Sequence, residues 1–228
     1  MLRIIAGSAR GRRFEAPAGR DTRPTLDRVR ENLFNMLQGR CMDARVLDLF
    51  AGSGALSLEA LSRGAEYAVM ADRDREASRI EHKNAEGLGF REKCRILLSP
   101  WERTIETLKR EEGKFDLIFL DPPYAMTDLR GMTESLKPLM DEDGWIVLEH
   151  QAEVRPAVTA GLRIVKERKW GYCGVTIYGA EKPADSGTGT EENETGAAET
   201  DGAEDSADGG TGTEENGTGA ADGRSGGT

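Results

Sequence analysis

Apolar runs alternate with amphipathic segments along the first 180 residues, and the two periods predict strands and helices in turn. The predicted strands lack polar alternation, which is typical of parallel strands buried on both faces. They span residues 44–50, 67–71, 94–98, 115–120 and 145–149. The helices predicted around them each have one apolar face. They span residues 25–37, with Thr25 as N-cap, and residues 56–62, 76–88, 101–110 and 129–140.

Two hairpins complete this pattern. Residues 2–7 and 12–16 form a short hairpin at the amino terminus, and residues 162–165 and 175–178 form another at the end of the patterned region. Strands separated by helices predict a three-layer α/β fold of the Rossmann-like type. We therefore expect a mostly parallel seven-stranded sheet with an antiparallel carboxyl-terminal edge, extended by the amino-terminal hairpin.

The composition changes sharply near Lys182-Pro183. Residues 184–228 hold 12 acids, 12 glycines and a single base, without any aromatic residue, Leu, Ile or Val. Such a segment buries too little apolar surface to offset its chain entropy, so a disordered tail is predicted. Without the tail, the charge of −10 becomes +1. The expected organisation is a basic arm at 1–24, one domain at 25–183 and the tail.

The cysteines and the hydropathy exclude several classes of protein. Cys41, Cys94 and Cys173 are far apart without a Cys-x-x-Cys motif, and His82 and His150 are the only histidines. Neither a disulfide framework nor a zinc site is indicated, and no metal is expected. No apolar run reaches 18 residues, and the amino terminus has no signal-peptide core. We expect a cytosolic protein that does not bind membranes.

The best candidate site is Asp121-Pro122-Pro123-Tyr124, directly after the apolar strand 115–120. The prolines end the strand because they have no N–H to donate. A carboxylate and an aromatic ring are thereby placed at the carboxyl end of a central strand, where open α/β sheets bind their ligands. The alternative is a rigid turn in which the aspartate acts only as a cap.

A second candidate is the glycine turn 51–55 between strand 44–50 and the next helix. Gly52 and Gly54 let the backbone approach a ligand, whose polar groups can meet the free N–H groups of the helix start. Asp72 ends the following strand and is placed to accept hydrogen bonds from ribose hydroxyls. Alternatively, Asp72 caps the next helix, a role that Asp74 could take equally well.

Arginine dominates the amino terminus. Residues 1–31 contain no lysine and eight arginines: Arg3, Arg10, Arg12, Arg13, Arg20, Arg23, Arg28 and Arg30. The planar guanidinium binds phosphate oxygens in pairs, which favours a phosphate-binding arm. The alternative is a solvated basic surface with local ion pairs.

These motifs together resemble a known family. The run from Asp48 to Ala55, the acid Asp72 and the tetrapeptide 121–124 resemble class I S-adenosylmethionine-dependent methyltransferases that methylate exocyclic amines. The segments 3–7, 10–12 and 23–35 are similar to the RsmD family, bacterial enzymes that methylate N2 of a guanine in 16S ribosomal RNA. The resemblance covers residues 2–180 and leaves out the tail.

The resemblance implies S-adenosylmethionine as cofactor and a role for each motif. Gly52 and Gly54 would flank its methionine part, Asp48 would lie near its amino group, and Asp72 would bind the ribose. The expected catalytic residues are Asp121 and the Pro122 carbonyl, which accept from the amine, and Tyr124, which stacks on the base. The expected substrate-binding residues are Arg10, Arg12, Arg23, Arg28, Arg30 and Tyr124.

The implied partner is 16S ribosomal RNA or the 30S particle, bound by a monomer. Two alternatives are a DNA adenine-N6 methyltransferase and a non-catalytic nucleic-acid-binding protein with the same fold. Related methyltransferases that act on adenine or glutamine mostly carry Asn where Asp121 stands. The aspartate therefore favours an enzyme that methylates guanine in RNA. Many relatives place an acid or amide near the adenine, but Ser99-Pro100-Trp101 occupies that place, so the adenine contact is left unassigned.

Overall fold

A seven-stranded sheet forms the centre of the computed structural model, which describes residues 1–16, 24–126, 129–154, 156 and 159–181. The side chains of residues 24–26 are also outside the description. The chain divides into two units, Met1–Asp185 and Ser186–Thr228. The predicted tail 184–228 and the predicted arginines Arg20 and Arg23 lie outside the described residues.

The elements follow the predicted alternation. The strands are β1 (Leu2–Arg3), β2 (Arg13–Phe14), β3 (Arg45–Asp48), β4 (Tyr67–Asp72), β5 (Cys94–Leu98), β6 (Phe115–Leu120), β7 (Met140–Gln151), β8 (Leu162–Trp170) and β9 (Cys173–Ala180). The helices are α1 (Pro24–Leu37), α2 (Ala55–Ser62), α3 (Arg75–Leu88), α4 (Trp101–Arg110) and α5 (Leu129–Leu136). Short 3₁₀ turns span Arg91–Lys93 and Lys137–Leu139.

The strand order in the large sheet is β5-β4-β3-β6-β7-β9-β8. The first five strands of this order are parallel, and β9 runs antiparallel to both of its neighbours. β1 and β2 form the separate amino-terminal hairpin. This confirms the predicted α/β fold, with its mostly parallel seven-stranded sheet, antiparallel carboxyl-terminal edge and hairpin extension.

Helices cover both faces of the sheet because strand residues alternate between two apolar clusters. On one face, Val46, Met70 and Phe119 pack with apolar residues of α1, α2 and α3. On the other face, Leu47 and Ile118 pack with residues of α4 and α5. No helix among the described residues is long and apolar enough to cross a membrane.

The bounds of several elements differ from those predicted, and backbone chemistry explains two of these differences. α1 begins at Pro24, so Thr25 lies inside the helix instead of capping it; the fixed φ of proline suits the first helical position. α5 ends at Leu136 instead of continuing to Met140, since Pro138 lacks the N–H that a further helical turn requires. β7, β8 and β9 are each longer than predicted.

Candidate functional site

Three aspartates meet at the carboxyl edge of the sheet. Asp48 ends β3, Asp72 ends the neighbouring β4, and Asp121 follows β6 on the other side of β3. The negative charges of Asp121 and Asp72 both act on Asp48. The structure therefore brings together the predicted site residues of the glycine turn, Asp72 and the tetrapeptide.

The glycine turn between β3 and α2 requires its glycines. Gly52 and Gly54 have φ values of +55° and +77°, in the left-handed region. A Cβ atom on Gly54 would lie 3.0 Å from Met70 Sδ and 3.2 Å from Leu58 Cδ1. α2 starts at this turn, and Gly54 provides no side chain to cap its first N–H groups. The turn thus presents backbone donors to the sheet edge.

Asp72 holds this turn in place. Its Oδ2 accepts from Gly52 N at 3.0 Å, and its Oδ1 accepts from Asp74 N at 2.9 Å. Asp74 is the N-cap of α3 and accepts from Glu76 N at 2.7 Å. The alternative in which Asp72 caps the helix is therefore wrong. Asp72 instead links the two loops that follow β3 and β4.

Asp48 is a buried carboxyl group at the base of the turn, only 1% exposed. Its Oδ2 accepts from Ser57 Oγ at 3.1 Å, whereas its Oδ1 has no hydrogen-bond partner among the described residues. Burial, together with the smaller effect of the negative charge of Asp121, raises the pKa of Asp48 to about 7, while the Ser57 hydrogen bond opposes the shift. Asp48 can thus receive a further polar group.

Glu81 on α3 is a second buried carboxyl group, which the sequence pattern did not identify. It is fully buried, and neither oxygen has a hydrogen-bond partner among the described residues. Burial, with smaller effects of the negative charges of Asp48 and Asp72, raises the pKa of Glu81 to about 8. Glu81 thereby supplies a third carboxyl group near the glycine turn.

These raised pKa values predict a pH-dependent stability. Below the pKa that such a carboxyl group has in the unfolded protein, the group is protonated in both the folded and the unfolded state. Above that pH, the free energy of unfolding falls as the pH rises through the pKa of the group in the folded protein. Each such group contributes a slope of about 1.4 kcal/mol per pH unit between its two pKa values. When the pH is raised from 6 to 8, we expect the free energy of unfolding of Glu81→Gln to fall by about 2 kcal/mol less than that of the wild type.

Urea unfolding of both proteins at the two pH values measures this difference. Glu86→Gln is the matched control, because Glu86 is exposed on the same helix. The control should follow the wild type. If the Glu81→Gln profile also ran parallel to the wild type, Glu81 would not be protonated in the native protein.

The tetrapeptide leaves the sheet immediately after the pair that Leu120 forms with Leu148. Pro122 is buried, and the carbonyl of Pro123 accepts from Met126 N at 2.8 Å, which closes the turn. The Tyr124 side chain is 42% exposed beside this turn. Burial of its hydroxyl and the negative charge of Glu149 raise the Tyr124 pKa, so the phenol is neutral. An open aromatic face stands next to Asp121.

The predicted arginines divide into two groups. Arg12 donates to Leu88 O at 2.8 Å and to Gly87 O at the carboxyl end of α3. Arg30 is 6% exposed and donates to Arg3 O and Asp27 Oδ1. Both guanidinium groups make hydrogen bonds within the fold, but Arg12 remains exposed whereas Arg30 is buried, and their contacts with phosphate stay a prediction.

The arginines that stay at the surface line a groove. Arg10 and Arg28 are exposed, and with Arg3 they border a groove of about 440 Å³ that also contains Asp27 and Glu31. Acids therefore accompany the bases in this groove. The predicted Arg23 lies outside the described residues.

Buried polar residues, which the pattern did not reveal, attach the amino-terminal hairpin to the site. Glu59 on α2 accepts from Ile5 N at 2.8 Å and Ala6 N at 3.0 Å. Asn84 on α3 donates to Ser53 O in the glycine turn at 2.8 Å and accepts from Glu15 N at 2.8 Å. One amide thus joins the arm to the turn. In the sequence, only the position of Glu59 within the apolar helix α2 could have indicated this attachment of the hairpin.

Trp101 begins α4 and packs partly buried against the apolar cluster on that face of the sheet. Ser99 N donates to Asp72 O at 2.9 Å, which keeps the end of β5 beside β4. Trp101 therefore anchors its helix. Within the described parts of the chain, no group of three or more His, Cys, Asp or Glu could hold a metal ion.

Comparison with known proteins gives consistent matches over this whole region. The family model described as "Conserved hypothetical protein 95" matches residues 2–179. "Putative rRNA methyltransferase YlbH" of Bacillus subtilis (strain 168) is 39% identical over 180 residues, covering 78% of this chain and 98% of the relative. "Ribosomal RNA small subunit methyltransferase D" of Escherichia coli (strain K12) is 36% identical over 192 residues, covering 81% and 93%. The solved "Putative methyltransferase yhhF from Escherichia coli" superposes with a TM-score of 0.69 at 36% identity, covering 79% of this chain and 98% of that one.

Proposed function

Because the chain belongs to the RsmD family of ribosomal RNA methyltransferases, we propose that it methylates the exocyclic N2 amine of a guanine in 16S ribosomal RNA, with S-adenosylmethionine as methyl donor. The observation that carries this proposal is the tetrapeptide 121–124 at the carboxyl edge of the sheet, beside the glycine turn and Asp72. Relatives of this chain that match the same region are named as ribosomal RNA small subunit methyltransferases.

The residues at the turn fit the cofactor. The free N–H groups at the start of α2 suit its carboxylate, and the unpartnered Oδ1 of Asp48 suits its amino group. Asp72 keeps lone pairs for the ribose hydroxyls, because each of its oxygens accepts only one hydrogen bond from the turn. Gly52 and Gly54 leave room for the methionine part. When bound, S-adenosylmethionine supplies a methyl group activated by its positive sulfur.

Asp121 and the Pro122 carbonyl hold the acceptor amine. The N2 lone pair of guanine is delocalised into the ring, which makes the amine a poor nucleophile. Two hydrogen-bond acceptors fix the direction of the two N–H bonds. The lone-pair electron density on N2 is thereby directed at the methyl carbon. Bound S-adenosylmethionine would supply the methyl group, so that a new N–C bond would replace the C–S bond, whose electron pair would stay on sulfur, and N2 would release one proton to solvent.

Tyr124 provides a stacking surface for the target base. Its exposed ring can lie against the purine, an interaction worth about 1–3 kcal/mol per base. The target guanine must leave its stacked position in the RNA helix to reach the tetrapeptide at the edge of the sheet, as happens in other enzymes that modify nucleobases. The substrate is thus an unstacked guanine in 16S RNA or in the assembled 30S particle, and the enzyme acts as a cytosolic monomer.

A methylation assay tests this function. The protein is incubated with S-adenosylmethionine and unmethylated 16S RNA or 30S particles, and the digested nucleosides are identified by mass spectrometry. N2-methylguanosine is the expected product. Its absence with both substrates, while a known methyltransferase labels the same preparations, would refute the proposal. N6-methyladenine formed on duplex DNA would support the alternative enzyme, and no product on any of these would support a binding protein.

The exposed arginines Arg10 and Arg28 are proposed to grip RNA phosphates. Each phosphate contact contributes about 0.7–0.9 to the slope of log K against log salt concentration. We expect the double variant Arg10→Ala/Arg28→Ala to bind 16S RNA more weakly and to reduce that slope by about 1–2. Fluorescence anisotropy over a series of KCl concentrations measures it.

Arg103→Ala is the control for this pair. Arg103 is exposed on α4, whose apolar residues pack on the sheet face opposite to the cluster that contains Ile4 and Phe14 of the arm. The control should bind RNA as the wild type does. Equal slopes for the wild type and the double variant would mean that the arm does not contact phosphates.

A further inference from the structure

Glu149 stands beside Asp121 at the carboxyl edge of the sheet. In the parallel pairing of β6 with β7, Leu120 lies opposite Leu148. Glu149 is the next residue of β7 and Asp121 directly follows β6, so each lies one position beyond this pair. The Glu149 side chain is partly buried and is absent from the set of residues that the sequence motifs pointed to.

The Glu149 carboxylate acts on the side chains around it. After burial, its negative charge is the largest cause of the raised Tyr124 pKa. The Cys173 thiol of β9 hydrogen-bonds with Glu149, and burial together with this carboxylate raises the thiol pKa. Asp121 acts on both groups as well. Two carboxylates, one aromatic ring and a neutral thiol are therefore close enough to act on one another electrostatically.

A second aromatic residue lies near this group. Tyr172 lies in the turn between β8 and β9 and is 55% exposed. Its carbonyl accepts from Ala152 N at 2.9 Å, which fixes this turn against the end of β7. Tyr172 is also among the groups that act on the Tyr124 hydroxyl. Aromatic side chains thus come from two different loops around the carboxylate pair.

From this arrangement, we propose that Glu149 is a specificity-determining residue whose carboxylate accepts a hydrogen bond from N1–H of the target guanine, while Asp121 faces N2. The inference rests on the proposed function. Guanine presents N1–H and the N2 amine side by side as donors, and a carboxylate only accepts. Adenine presents an unprotonated N1 at that place, so its lone pair would face the carboxylate. Glu149 therefore selects guanine by its Watson–Crick edge.

The base 2-aminopurine tests this contact, because it keeps the exocyclic amine of guanine but has an unprotonated N1. Once the methylated guanine is mapped, ligated 16S transcripts carrying guanine or 2-aminopurine at that single position are assembled into 30S particles. The wild type should prefer guanine by about 100-fold in kcat/KM, since an unmatched buried acceptor replaces a hydrogen bond. Glu149→Gln, whose amide can donate to N1, should reduce this preference at least about tenfold.

A ratio of two substrates on one enzyme separates this role from a structural one, because a damaged fold lowers both rates together. Glu153→Gln is the matched control, since Glu153 is exposed just after β7. It should keep the wild-type preference. An unchanged preference in Glu149→Gln would overturn the inference. So would a wild type that methylates both transcripts equally, a result that needs no variant. Failure of the wild type on the guanine transcript would instead refute the proposed function.

Discussion

Replacing Asp121 with alanine is expected to lower kcat by about 10³-fold while the affinity for S-adenosylmethionine stays within about twofold of the wild type. Preorganised groups that orient or stabilise the reacting atoms typically contribute about 10²–10³ in kcat each. Asp121 lies where β6 leaves the sheet, with Tyr124 following on the same turn. Its carboxylate faces the acceptor amine in the proposed site, so its loss removes the alignment of N2 and leaves the glycine turn intact.

Single-turnover methylation of 30S particles measures the rate, and isothermal titration with S-adenosylhomocysteine measures the cofactor site. Asp116→Ala serves as the control, because Asp116 lies on the same strand near its amino end, where its Oδ2 accepts from Arg45 N at 2.8 Å. The control should keep the wild-type rate. If Asp121→Ala lost cofactor binding as strongly as activity, Asp121 would belong to the cofactor site instead.

The strand ends of the site were predictable because local chemistry determines them. A proline after an apolar run stops a strand, so β6 ended at Leu120 as expected, with Asp121 directly beyond it. The missing N–H of proline also explains why α5 is shorter than predicted, because Pro138 cannot continue the helix. The glycine turn followed from residue type in the same way, since Gly52 and Gly54 adopt positive φ.

Residues defined by distant contacts could not be predicted. Asn84 joins Ser53 to Glu15, which is 69 positions away in the sequence, and nothing near Asn84 indicates that bond. Likewise, all the amino-terminal arginines have the same chemistry, but Arg30 is buried and Arg12 hydrogen-bonds to the end of α3, although it stays exposed as Arg10 and Arg28 do. Which arginines stay available to a partner depends on how the arm docks, and composition cannot show this.

Asp72→Ala is expected to weaken S-adenosylmethionine binding by about 100-fold. In the proposed site Asp72 accepts from two ribose hydroxyls, and a hydrogen bond to a charged group contributes about 1.5–3 kcal/mol, so losing both costs about 3 kcal/mol. The variant also releases Gly52 N from Oδ2 and thereby loosens the turn. Asp74→Ala removes only the cap of α3, which costs stability without touching the turn. Isothermal titration of both variants measures the effect: Asp74→Ala should bind the cofactor as the wild type does, and equal losses in the two would mean that the loss in Asp72→Ala comes from disturbing the start of α3 and not from the ribose contacts.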